Sequence, residues 1–234
     1  MTCDRQELMA LHVEALFVHD SRGDLLRVNV PNVGPAPRFF LGRTSRGCIT
    51  RFRADVEPDM RLDLLAAVEA QGSQPVGRLP SHDDSALYER ILARSAPVQS
   101  TWLGFAYCVQ AHGSASTGAM MVDTGNADVL LDLLDEWIPD VQTGQPMAAL
   151  VVDGRAVSVC CSVRRTAQAH EAGVETSPAY RGRGYAARVV AAWAAAVRDL
   201  GCVPLYSAAM HNAPSNSVAH SLSMLHFGID LHVT

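Results

Sequence analysis

The sequence predicts an α/β protein. An N-terminal α+β region with β-hairpins, residues 1–97, precedes a mixed central sheet flanked by helices, residues 98–234. Two hairpin signals fall within the first 52 residues, and from residue 98 onwards apolar strand-like runs alternate with helical patterns. One of these strands leads into a glycine-rich turn that opens a long alanine-rich helix.

The composition restricts the classes of function. The chain has 234 residues, 48% of them hydrophobic, and a formal net charge of −5. A chain of this size buries about 70% of its unfolded surface without disulfides. The negative charge argues against nucleic acid and membrane surfaces as partners, because their binding proteins carry a basic face. No run of 18 apolar residues predicts a transmembrane helix.

The expected compartment is a reducing cytoplasm. Six cysteines are too few for a disulfide scaffold, and none forms a C-x-x-C pair. The first residues, MTCDRQELMALHVE, lack the pattern of a signal peptide. All 19 basic residues are arginine, which is typical of a GC-rich genome and points only weakly to a bacterial source.

The N-terminal region shows hairpins and short helices but no catalytic pattern. Turn-forming residues 21–24 and 44–47 lie between strand-like runs, which predicts two hairpins, residues 16–19 with 25–28 and residues 39–41 with 48–52. Two short helices are expected at residues 62–69 and 86–92, the second after the capping cluster Ser81, Asp83 and Asp84.

The second region alternates strands with helices. Asn126 is expected to cap a helix that runs through Ile138 and ends at Pro139. Asp153-Gly154 predicts a tight hairpin, and Gly201 suits the position that follows a long helix ending at Leu200. Strands are expected at residues 101–109, 147–152, 156–163, 172–176, 203–207 and 227–233, and a further helix at residues 215–224.

The strand–turn–helix around residues 174–186 carries the chemistry. Glycines in the turn let backbone amides point at an oxyanion, and a helix N-terminus adds unpaired N–H groups and partial positive charge. Arg181 and Arg183 can add charge-assisted hydrogen bonds. The segment therefore predicts a diphosphate cradle. It does not follow the Rossmann pattern, and the absence of lysine excludes a P-loop.

No metal site is predicted. His211, His220, His226 and His232 show no H-E-x-x-H or H-x-x-x-H spacing, and no cysteine pairs accompany them.

Three motifs together resemble the GNAT superfamily of acyl-CoA-dependent N-acetyltransferases. Arg181-x-x-Gly184-x-Ala186 is similar to its Q/R-x-x-G-x-G/A signature, and Val174-x-Thr176-x-Pro178 to the strand that enters it. The segment that begins Asn212-Ala-Pro-Ser215 resembles the helix start that follows the next strand. The motif-level resemblance covers about residues 145–234.

The resemblance implies a cosubstrate and a reaction. Acetyl-CoA would place its acyl carbonyl and pantetheine against the backbone of Val174 and Thr176, and Asn212 would contact the cofactor arm. The reaction would be direct transfer of acetyl to a primary amine of a small molecule or peptide. The diphosphate would bind the amides of the signature loop, Gly182, Arg183, Gly184, Tyr185 and Ala186. Residues 1–97 would then shape the acceptor side, and a homodimer is left open.

The chain departs from the family pattern at the catalytic positions. Many family members carry Leu-Gly-Phe after the last helix and a tyrosine general acid within it; this chain has Leu222-Ser223-Met224 and Ala219 at those positions. Two side chains on the predicted fourth strand of the family fold are candidates for the base, His170 and Glu175. A packing or surface role is the alternative for each. Glu175 lies closer to the acyl site, but alternation turns it to the opposite face unless a bulge intervenes.

Two rival functions remain at this point. One is a CoA-binding module of the same fold that acts as a sensor or scaffold without catalysis. The other is a flavin or nucleotide enzyme that uses the turn as a general anion site.

Overall fold

The computed structural model describes residues 4–30, 34–71, 82–110 and 118–234, without the side chains of residues 82–84. The chain divides into two compact units. The first contains residues 1–106, 208–211 and 226–234, and the second contains residues 107–207 and 212–225. The units are discontinuous in sequence, and the division into functional domains at residue 98 stays a prediction.

The first unit is built from hairpins and helices. Its strands follow the order β4-β3-β11-β5, and both predicted hairpins are confirmed, β1 with β2 and β3 with β4. The elements are α1 (Arg5–Leu16), β1 (Phe17–His19), β2 (Leu25–Val28), β3 (Phe39–Thr44), β4 (Gly47–Phe52), α2 (Pro58–Ala70), α3 (His82–Leu92), β5 (Thr101–Cys108) and β11 (Leu225–Val233). The helices expected at residues 62–69 and 86–92 are confirmed as α2 and α3. Helix α3 begins at His82, so Asp83 and Asp84 lie within the helix rather than before it, and their predicted capping position is wrong. Ser81 lies outside the described residues.

Helix α1 is absent from the sequence prediction. Its start is a capping box, in which the Asp4 side chain binds the backbone of the first turn and the Glu7 side chain returns to the Asp4 N–H. The helix continues directly into β1 at Phe17 with no glycine or proline between them. The sequence analysis gives residues 5–15 no element, and the strand that it predicts at residues 16–19 is confirmed as β1.

The second unit contains the predicted cofactor elements. Its strands follow the order β10-β9-β8-β7-β6, and the β9–β10 pair is parallel whereas the other three pairs are antiparallel. The elements are β6 (Met120–Met121), α4 (Asp140–Thr143), β7 (Met147–Val152), β8 (Arg155–Arg165), β9 (Ala169–Thr176), α5 (Tyr185–Asp199), β10 (Val203–Ala209) and α6 (Ala213–Ser221). This mixed sheet with flanking helices confirms the predicted fold class.

The helix expected from Asn126 to Ile138 is wrong. The segment forms two short 3-10 turns, Ala127–Leu130 and Asp135–Trp137, followed by α4. Asn126 does not cap a helix, because its side chain accepts from the Asp123 N–H and donates to the Met121 carbonyl. Asp132 lies in the left-handed region with φ +73°, which interrupts the helical path.

The two faces of this sheet carry different elements. Helix α5 contacts β7, β8 and β9 on one face, where Trp193 is fully buried. The 3-10 segment contributes Leu130 and Leu134 to an apolar cluster on the other face, together with Val159 and Cys161 of β8. Side chains of β9 therefore point alternately toward α5 and toward the 3-10 segment.

No helix in the described part of the chain combines the length and the apolar character that crossing a membrane requires.

Candidate functional site

The parallel strands β9 and β10 separate shortly after they begin. Their register contains only three pairs, Val203 with Ala169, Pro204 with His170 and Leu205 with Glu171. Strand β9 continues to Thr176 while paired with β8 on its other side. After Glu171, the edge of β9 that faces away from β8 is therefore outside the register with β10.

The backbone of Val174 and Thr176 points to this edge. Ser177 donates its N–H to the carbonyl of Val157, which places the Ser177 backbone on the β8 side. Because backbone groups alternate sides along a strand, Thr176 and Val174 present theirs to the opposite edge. The Nε of Arg181 donates to the Thr176 carbonyl over 3.0 Å on that side. These are the two residues predicted to bind the acyl carbonyl and pantetheine.

The predicted phosphate loop follows directly. Gly182 and Gly184 both have φ +73°, and a Cβ added at either would meet no atom within 4 Å. Gly184 is the N-cap of α5 and offers no capping side chain, so the first-turn amides of Tyr185 and Ala186 have no side-chain acceptor there. A 15-residue helix with an open, glycine-lined N-terminus fits the diphosphate of a cofactor.

The two loop arginines are exposed but already oriented. Arg181 is held by the Thr176 carbonyl, and the guanidinium of Arg183 lies 5.3 Å from the centre of the Tyr180 ring. Both keep donor groups available for a phosphate, because a guanidinium carries five N–H donors.

Asn212 caps helix α6. Its Oδ1 accepts the Ser215 N–H over 3.1 Å, so this oxygen is used within the helix start. Contact of Asn212 with a cofactor arm stays a prediction.

His170 lies on the α5 face of β9 and is 6% exposed. Its Nδ1 and the Trp193 Nε1 both lie within hydrogen-bonding distance of the Ser162 hydroxyl, at 2.8 and 3.0 Å. Burial, and then the charge of Arg165, lowers the pKa of His170. These contacts favour the packing role that the sequence left open for this residue.

Glu175 lies on the opposite face. Its Oε2 accepts a hydrogen bond from the Trp137 Nε1 over 2.9 Å. The register shift in this pair of strands lies between Ser162 and Arg164 of β8, far from Glu175. Simple alternation therefore determines its direction, as the sequence predicted in the absence of a local bulge.

Glu171 is the carboxylate that the sequence analysis missed. It forms the last pair before β9 and β10 separate, and it is 1% exposed. Ser207 of β10 donates its hydroxyl to Glu171 Oε1 over 2.6 Å. The sequence predicts a strand that begins one residue later, at 172, so Glu171 lies outside that predicted strand.

Two tyrosines lie against helix α6. The Tyr107 hydroxyl is 3.2 Å from Asn216 Oδ1, and Tyr206 donates to the Ser215 carbonyl over 3.1 Å. Their ring centres are 6.3 Å apart. Burial raises the pKa of Tyr206 to about 12 and also raises that of Tyr107, so both hydroxyls are protonated at neutral pH. The sequence offered no signal for this cluster, because Tyr107 and Asn216 are 109 positions apart.

Residues 148–226 match the family model described as GNAT acetyltransferase. This part of the chain belongs to the GNAT superfamily. The matched residues include the separating strands, the glycine-led helix and α6, which are the elements that build the candidate site.

Solved structures with GNAT folds are similar to the chain. A GCN5-related N-acetyltransferase-like protein from Streptococcus suis matches with a TM-score of 0.50 and 17% identity, covering 98% of this chain and 100% of that one. A GNAT-family acetyltransferase from Novosphingobium aromaticivorans matches with a TM-score of 0.48 and 21% identity over 58% of this chain. The chain spans 65% of the length of the Novosphingobium structure. No curated protein matches the chain.

Within the described residues, no group of three or more histidine, cysteine, aspartate or glutamate side chains could hold a metal ion.

Proposed function

We propose that the protein is an N-acetyltransferase that moves the acetyl group of acetyl-CoA to a primary amine by direct transfer. The observation that carries this proposal is the separation of β9 and β10 after Glu171, next to the open N-terminus of α5. The open edge of β9 suits an amide-containing arm such as pantetheine, and the helix N-terminus suits a diphosphate. We place the reaction in the cytoplasm of a bacterium, as the cysteine and arginine usage predict.

The proposed base is Glu171. It lies where the strands part, and its carboxylate is held by Ser207. The nitrogen lone pair of the acceptor forms the new C–N bond to the thioester carbonyl carbon, and the proton lost from nitrogen passes to the Glu171 carboxylate, directly or through one water. A base at this position keeps the attacking amine neutral.

The proposed acid is Tyr107. As the C–S bond breaks, its electron pair stays on sulfur, and the Tyr107 hydroxyl supplies the proton that converts the thiolate to CoA thiol. Tyr107 reaches α6 at Asn216, which shares a helix face with Asn212 and Ala219 because they are four and three residues away. Ala219 is the position where many GNAT members carry their tyrosine. In this chain the Tyr107 hydroxyl, from β5, would supply the proton at the same helix face.

A CoA-binding module without catalysis is the second candidate. It is favoured by the alanine at position 219 and the absence of Leu-Gly-Phe after α6. Both candidates predict binding of acetyl-CoA, whereas only the enzyme predicts release of CoA thiol.

The test combines binding and turnover on the full chain. We expect acetyl-CoA at about 100 times its dissociation constant to stabilise the fold by about 2.7 kcal/mol in a thermal unfolding experiment. We also expect release of CoA thiol when a panel of amines is added. Thermal stabilisation without thiol release supports the module, and no stabilisation at millimolar acetyl-CoA contradicts both candidates.

A further inference from the structure

We infer that the acceptor carries a carboxylate close to its amine, as an α-amino acid does, and that Arg164 binds this carboxylate. The inference rests on the proposed acetyl transfer and names the class of acceptor.

Arg164 lies directly across from the proposed base. In the antiparallel register of β8 and β9, Arg164 is paired with Glu171. A register shift between Ser162 and Arg164 accompanies this pairing. A bulge of this kind re-aims the side chains that follow it. Here it places Arg164 opposite Glu171 and leaves Arg165 opposite His170.

The two arginines therefore point to different faces of the sheet. Arg165 is paired with His170, whose ring lies on the α5 face beside Ser162, so the register places Arg165 on that face. Arg164 lies on the other face with Glu171 and, through alternation along β10, with Ser207. One face thus presents an arginine, a carboxylate and a hydroxyl side by side.

The guanidinium of Arg164 has unused donor capacity. Its Nε is buried and makes no hydrogen bond to any described residue. A buried donor without a partner costs about 1–3 kcal/mol, more for a charged group. An oxyanion that accepts this N–H would remove that cost, and the planar fork of a guanidinium matches the geometry of a carboxylate.

The spacing of the two side chains selects the kind of acceptor. Directly opposed residues in an antiparallel pair have Cβ atoms about 5 Å apart. An amine delivered to Glu171 and an anion bound by Arg164 must then be separated by only a few bonds. An α-amino acid meets this requirement, whereas a simple alkyl amine has no group for Arg164 and a polyamine would place a second cation there.

The experiment compares matched acceptors on wild-type protein. Thiol release is measured with amino acids, with the corresponding amino acid amides and with the decarboxylated amines, each over a range of pH so that the fraction of neutral amine can be matched. We expect kcat/KM to be about 10- to 100-fold higher for the amino acids, because the amides and amines lack the charge-assisted hydrogen bonds to Arg164.

Variants then separate binding from catalysis. Arg164→Gln should raise KM for amino acids about 10- to 100-fold and leave the amides unchanged, and Arg164→Lys should retain part of the preference. Arg165→Gln, on the other face, is the matched control and should retain the wild-type preference. If Arg164→Gln lowers kcat equally for all acceptors, the arginine positions Glu171 and the inference is wrong.

A second readout does not need turnover. N-acetylated amino acids, the reaction products, should stabilise wild-type protein against thermal unfolding more than their amides do, and Arg164→Gln should remove this difference. Wild type that acetylates amides and amines as well as amino acids contradicts this inference alone. Wild type that neither binds acetyl-CoA nor releases thiol with any amine contradicts the proposed function and this inference with it.

Discussion

Ser207 donates its hydroxyl to the buried carboxylate of Glu171 over 2.6 Å, across the point where β9 and β10 part. This bond fixes the direction of a carboxylate that is almost fully removed from solvent. It gives the second unit a buried, oriented carboxylate on the face opposite α5, the residue that we propose as the base.

We expect Glu171→Gln to lower kcat/KM by about 100-fold or more, because general base catalysis typically contributes 10²–10⁴-fold. Binding of acetyl-CoA should be unchanged, since the amide keeps the size of the side chain. The matched control is His170→Gln, which alters the neighbouring residue on the α5 face. Equal losses of kcat/KM in the two variants would argue for a general packing defect rather than a base at position 171.

Tyr107→Phe should lower kcat by about 100-fold while the KM for acetyl-CoA stays the same, because it removes the proton donor for the leaving thiolate. Tyr206→Phe is the control. It removes the hydrogen bond to the Ser215 carbonyl, which should cost about 1 kcal/mol of stability and leave most of kcat. Steady-state thiol release measures both variants, and a Tyr107→Phe enzyme with wild-type kcat would show that the acid lies elsewhere.

Two substitutions of Gly184 test whether the loop binds the negatively charged diphosphate. Gly184→Asp and Gly184→Asn add side chains of the same size, and both residues tolerate the left-handed backbone at φ +73° better than most. The aspartate should abolish thermal stabilisation by acetyl-CoA because its charge lies beside the diphosphate. The asparagine should weaken it less.

A control for backbone strain is Gly154→Asp, in the hairpin between β7 and β8. Gly154 has φ +79° and open space around its Cβ position. This variant should unfold at a lower temperature but retain the full shift with acetyl-CoA. If Gly184→Asp also retains the full shift, the loop does not hold the diphosphate.

Ser223→Gly should stabilise the protein. Ser223 has φ +47°, in the left-handed region that costs a residue with a Cβ about 1–2 kcal/mol. Position 223 is where the family motif has glycine. The backbone there adopts a conformation that favours glycine, although the residue is serine. We expect a rise of about 2–4 °C in the unfolding midpoint. The converse change, Gly201→Ser at φ +77°, should lower it.

Asp230 should stabilise the first unit in a pH-dependent manner. It is 1% exposed, and its Oδ2 lies 3.1 Å from His12 Nε2 and 3.0 Å from His232 Nε2. Trp102 Nε1 donates to its other oxygen over 3.2 Å. Burial alone would raise the pKa of Asp230, but the hydrogen bonds and charges of the two histidines outweigh it, and the pKa is lowered.

A carboxyl whose folded pKa is depressed contributes its stability above the unfolded pKa of about 3.9, and this contribution is lost as pH falls toward the folded pKa. Asp230→Asn should therefore cost about 3 kcal/mol at pH 7, since it breaks a buried charged network, and the cost should shrink below pH 4. Denaturant unfolding across pH 3–8 measures this, with exposed Asp153→Asn as a control that should show little change. A cost that is constant over this range would contradict a role for the ionised carboxylate.

The sequence alone could predict those features that depend on residues close together in the chain. The strand, the glycine-led turn and the helix at residues 174–200 are contiguous, so propensity, capping and motif all point to one structure. The hairpin at Asp153-Gly154 is equally local, because both residues take positive φ. The direction of the Val174 and Thr176 backbone groups is also local, because strand alternation depends only on the register of one strand. Their contact with the cofactor was implied by the resemblance and stays a prediction.

Only the tertiary structure decided which side chains meet. The Glu171 carboxylate is oriented because Ser207 of β10, 36 residues later, donates to it, and Tyr107 reaches α6 from a strand 109 residues before Asn216. The pairing of Arg164 with Glu171 depends on a register shift that leaves no composition signal. The last strand, β11, pairs with β3 through five residues and so belongs to the first unit. Long-range strand pairing is set by which apolar faces can be buried together, and that depends on the whole chain rather than on any one segment.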